Sequence, residues 1–74
     1  MPHINIKHFP VSLSAEKQAE LIISVTQAVQ RAFGCDEKVI SISIEPVEQS
    51  AWNERVYEPE IVQRKDLLRK APRY

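Results

Sequence analysis

The sequence predicts an α/β (α+β) subunit built on a single βαβ unit, with a short helix near the C-terminus. Three observations predict it. Residues 2–9 and 39–45 alternate as strands do, and between them residues 15–33 carry apolar side chains at helical spacing. Serine and glycine punctuate the ends of that helix. The 74 residues make one domain, 1–74, because two halves would each fall below the size at which a core sustains a fold unaided.

In the first strand Pro2, Ile4, Ile6 and His8 share one face, and His3, Asn5, Lys7 and Phe9 the other. Pro10 has no N–H to donate and stops the ladder. Ser14 is placed to cap the helix, with Glu16 and Glu20 near its positive end. Ile22, Val25, Val29, Ala32 and Phe33 form its core-facing stripe. Gly34, the only glycine, follows where a C-terminal cap takes positive φ. In the second strand Ile40, Ile42 and Ile44 alternate with Ser41, Ser43 and Glu45 up to Pro46. A 19-residue helix spans about 28 Å and an eight-residue strand about 26 Å. The helix therefore carries the chain back to begin a parallel strand. Residues 47–58 read as a loop or short turn of helix, Pro59 as the first residue of a helix running to Lys70, and 71–74 as an extended tail.

A two-stranded sheet with one covering helix is not independently stable. Its other face shows Asn5, Phe9, Ser41 and Ser43. Pairing edge strands with a second copy gives a four-stranded sheet, so the expected state is a homo-oligomer.

Ten Lys and Arg balance ten Asp and Glu. This argues against a nucleic-acid partner, although residues 45–60 are net −4 and residues 61–74 net +4. The longest apolar run, Leu21-Ile22-Ile23, excludes a membrane-spanning helix. One cysteine, Cys35, and an N-terminus without an apolar signal segment point to the cytoplasm. No phosphate-binding glycine loop and no metal motif occurs, and His3 and His8 fall on opposite faces of a strand. No metal and no cofactor is expected.

Pro2 stands out by position. Initiator methionine is usually removed before proline, which leaves a free secondary amine. Ordinary α-amino groups titrate at about 7.7–8.0, and apolar surroundings lower that by disfavouring the ammonium. Pro2 is thus a candidate base at neutral pH.

The start Pro2-His3-Ile4-Asn5-Ile6-Lys7, the helix, the strand Val39-Ile40-Ser41-Ile42-Ser43-Ile44 and Trp52 together resemble the 4-oxalocrotonate tautomerase family. Its small βαβ subunits use an amino-terminal proline as catalytic base. His8-Phe9-Pro10, Glu60-Ile61 and the Lys70, Pro72, Tyr74 ending look most like the tautomerase PptA subgroup. The resemblance implies an isomerase, an enol–keto tautomerase acting on a 2-hydroxydienoate or arylenolpyruvate. It implies Pro2 as base and Trp52 as an aromatic pocket wall, though Trp52 equally suits a core or interface.

Many members hold a dicarboxylate with two arginines, at positions that align near Val11 or Ser12 and at Ser41. None of these is basic here. A more apolar or monocarboxylate acid is therefore expected. Lys7, Arg31 and Arg55 are candidate substitute cations, and Arg55, three residues from Trp52, is the best placed. The 59–74 extension covers surfaces that shorter members use to assemble trimers of dimers, which favours a dimer. The alternative is a catalytically silent oligomeric binding module on the same fold.

Overall fold

The computed structural model describes residues 1–74. Strand β1 spans His3–His8, helix α1 Ala15–Phe33 and strand β2 Ser41–Pro46. The strands pair in parallel, His3 opposite Ser41 through His8 opposite Pro46. This is the expected βαβ unit. Helix α1 has the predicted ends for the predicted reasons. The Ser14 side chain accepts the Lys17 N–H at 3.1 Å. Gly34, at φ 63°, donates its N–H to the Gln30 carbonyl at 2.8 Å. Ile4 and Ile6 of β1, Ile42 and Ile44 of β2, and Leu21, Ile22, Val25 and Val29 of α1 are half-buried.

The second strand is displaced from the predicted 39–45. The Asp36 side chain accepts the Lys38 N–H and folds Glu37–Val39 into a 3₁₀ turn, which takes Val39 out of the ladder. Pro46 is itself the last residue of the strand. The Ser41 and Val47 N–H groups donate to the Pro2 and His8 carbonyls of the β1 segment, so odd-numbered amides of β2 face β1. Even-numbered Pro46 thus turns its missing donor toward the open edge, where it costs no bond.

The segment after β2 also differs from expectation. A 3₁₀ turn over Gln49–Ala51 leads into a π-helix over Asn53–Val62, and another 3₁₀ turn covers Lys65–Leu67. Residues 47–58 are therefore largely helical, and Pro59 lies inside the helix rather than at its start. In an α-helix the Pro59 ring would press on the Arg55 carbonyl. The π-helix takes its bonds one residue further back, as from the Gln63 N–H to the Glu58 carbonyl. Trp52, Val56 and Ile61, at steps of four and five, line a groove with Asn5, Ile6 and Lys7.

Only Val47 and Val56 are fully buried. The subunit is a slab of 36 × 32 × 19 Å. Asn5, Ser41 and Ser43 are exposed on the polar sheet face as anticipated, with an Asn5–Ser43 side-chain hydrogen bond of 2.6 Å. The C-terminal segment reaches Lys7 on that face, where Glu60 pairs with it. No helix is long and apolar enough to cross a membrane.

Candidate active site

Pro2 immediately precedes β1, and its carbonyl accepts the Ser41 N–H at 3.2 Å. That bond extends the ladder by one residue and pins the proline at the end of the sheet. Beside it, His3 Nδ1 and Ser41 Oγ are hydrogen-bonded at 2.7 Å.

Pro2 is half-buried and lines a hollow of about 490 Å³ with Met1, His3, Ile4, Val29, Phe33 and Cys35. Chain order explains the grouping. The first strand begins where α1 ends, so the last turns of the helix and Cys35 after its cap meet the residues at the N-terminus. No Asp, Glu, Lys or Arg lines the hollow. Met1 is 99% exposed, so cutting it away removes no packing. Such surroundings favour the neutral form of an amine exposed at Pro2 over its ammonium.

The other predicted site residues lie elsewhere in the subunit. Trp52 packs edge-on against Phe9, ring centres 4.9 Å apart, and its indole N–H donates to the Tyr74 hydroxyl at 3.2 Å. It lines a separate hollow with Lys7, His8, Phe9 and Tyr74. Six residues of extended chain, His3–His8, separate Phe9 from Pro2, seven steps of rise or roughly 23 Å. Within one subunit Trp52 and Pro2 do not share a cavity. Arg55 Nη2 contacts Glu45 Oε2 at 2.8 Å, an ion pair open to solvent on both sides.

Neither remaining candidate cation lines the hollow of Pro2. Lys7 is held by Glu60. Arg31 lies about 200° around α1 from Val29 and lines a different hollow with Gln27, Gln30, Gly34 and Cys35. Val11, Ser12 and Ser41, where the resemblance aligns family arginines, are exposed and uncharged. No cluster of three or more His, Cys, Asp or Glu is arranged to hold a metal.

Two residues of the hollow were not anticipated as site residues. Phe33 was placed in the core-facing stripe of α1, yet it is 70% exposed beside Pro2. Cys35 stands out in the sequence only as its single cysteine. Periodicity alone reports the face of the helix and not the point where the sheet beneath it ends, so neither position was separable from the core by pattern.

Comparison with known proteins bears on what this arrangement does. A family model described as "Tautomerase enzyme" matches residues 2–53. Tautomerase PptA of Pectobacterium carotovorum subsp. carotovorum (strain PC1) is 32% identical over 74 residues, covering 100% of this chain and 97% of the relative. Tautomerase PptA of Klebsiella pneumoniae (strain 342) is 34% identical with the same coverage. That of Escherichia coli O127:H6 (strain E2348/69 / EPEC) is 32% identical, again with the same coverage.

Proposed function

The chain belongs to the tautomerase family and its PptA subgroup, and we propose that its enol–keto chemistry runs on Pro2 as general base once Met1 is removed. The substrate is a small unsaturated acid of the 2-hydroxydienoate or arylenolpyruvate type. The observation that carries this reading is the half-buried Pro2 in a hollow without charged side chains.

The proton balance is simple. The neutral Pro2 nitrogen takes the enol O–H proton as the C–O bond becomes a carbonyl. The electron pair moves along the conjugated system to carbon. Pro2, now an ammonium, returns a proton to that carbon and is neutral again. Nothing is consumed, and the product is an isomer of the substrate. The five-membered ring and the carbonyl bond to the Ser41 N–H fix where the lone pair points.

Trp52 and Arg55 enter the site from a neighbouring subunit. Within one chain Trp52 packs on Phe9 at the far end of β1 from Pro2, which supports this. It also requires a homo-oligomer, and a dimer that joins two sheets at their edges meets the requirement. The single cysteine fits a cytoplasmic setting. The tautomerase family favours catalysis over a silent binding module on the same fold.

The test begins with the intact mass, which reports whether Met1 is gone. Phenylenolpyruvate ketonisation is then compared between the processed wild type and Pro2→Ala. Loss of a positioned base lowers the rate about 10²–10⁴-fold. A processed wild type no faster than Pro2→Ala removes the assignment.

A further inference from the structure

Within one subunit the only Phe, Tyr or Trp that lines the Pro2 hollow is Phe33. Phe33 is the last residue of α1, fixed there by the Gly34 cap, and most of its ring is open to solvent. Once Met1 is gone the remaining lining is His3, Ile4, Val29 and Cys35, and no Asp, Glu, Lys or Arg of the chain is among them. A linear conjugated chain would gain only apolar burial there. A planar uncharged ring would instead meet the face or edge of Phe33, an arrangement that aromatic pairs favour. The hollow, about 490 Å³, falls within the size range of small-ligand sites.

We infer that Phe33 is a specificity-determining contact that selects an aryl-substituted enol monocarboxylate over a linear conjugated one at Pro2. The inference rests on the reading of Pro2 as the base. Phe33 contacts the aryl group of the substrate and takes no part in proton transfer. Its exposure in the isolated subunit is that of a ligand wall, and a neighbouring copy is the competing occupant.

Equilibrium binding tests this without relying on turnover. Cinnamate, an aryl acid, and sorbate, a linear conjugated acid of similar reach, are titrated calorimetrically into the processed protein and into Phe33→Leu and Phe33→Tyr. The wild type is expected to prefer cinnamate. Phe33→Leu loses about tenfold of that preference and Phe33→Tyr keeps it. Sedimentation of all three proteins stays the same.

An unchanged preference in Phe33→Leu overturns the inference, as does a wild type that binds cinnamate no better than sorbate. Dissociation of the assembly by Phe33→Leu also overturns it, because Phe33 is then an interface residue. If Pro2→Ala retains full ketonisation activity, the base assignment fails on its own, and the cinnamate-to-sorbate ratio still decides the role of Phe33.

Discussion

Diluting the protein should unfold it. The chain exposes 6046 Å² for a mass of 8.5 kDa. The mass scaling of compact monomers gives roughly 4,700 Å² for that size, so about 1,300 Å² per subunit is surface that a free-standing fold would have buried. Two such faces, together about 2,600 Å², reach the range of obligate interfaces. Exposed Phe9, Val11, Leu13, Ile23 and Leu67 are the kind of side chains that such burial removes from water. If folding and dimerisation are one step, each tenfold dilution lowers the apparent stability by about 1.4 kcal/mol. With a urea slope of about 1–3 kcal/mol/M, the midpoint falls by about 0.5–1.4 M. Urea titrations at 1, 10 and 100 μM, followed by circular dichroism, read this directly. A midpoint unchanged across that series, with an 8.5 kDa species in sedimentation, refutes the reasoning.

Three further outcomes are expected. Gly34→Ala meets no atom within 4 Å of the added Cβ, so its cost is backbone strain alone at φ 63°, about 1–2 kcal/mol by urea unfolding at fixed concentration. Trp52→Ala removes the edge contact to Phe9 and the bond to Tyr74, and should cost about 2 kcal/mol in the same assay. A smaller loss than Gly34→Ala would mean that Trp52 does little to hold the C-terminal segment. Arg55→Ala breaks only an exposed pair with Glu45 and changes stability by less than about 1 kcal/mol. If Arg55 reaches the site of a neighbouring subunit, its loss raises the KM for carboxylate substrates several-fold. An unchanged KM removes it from the site.

The parts of the fold legible in the sequence are those where one local rule decides the outcome. Ser14 and Gly34 fixed both ends of α1 because each answers a specific need of a helix terminus. The alternation of Ile40, Ile42 and Ile44 announced β2, but Asp36 capping Lys38 diverted Val39, and the parity of the parallel ladder let Pro46 stay in the strand. Those two effects depend on which partner each amide faces, which the strand sequence alone does not contain. The π-helix over Asn53–Val62 escaped notice because its apolar residues recur at four and five steps rather than at the 3.6-residue period. At the site, Pro2 was legible from chemistry and position. Phe33 was not, since its stripe reads as core until the end of the sheet is known. Trp52 and Arg55 were read as companions of Pro2 in one site, and the single subunit keeps them at opposite ends of β1 because an extended strand lies between.

Titration of the Pro2 nitrogen is the most direct test of the chemistry. In protein that has lost Met1 and carries ¹⁵N-proline, the chemical shift is followed by NMR from pH 4 to 11. A proline base requires this nitrogen to titrate below the ordinary α-amino range of about 7.7–8.0, with the neutral form persisting as the pH falls toward neutrality. A nitrogen still protonated above pH 9 contradicts a proline base.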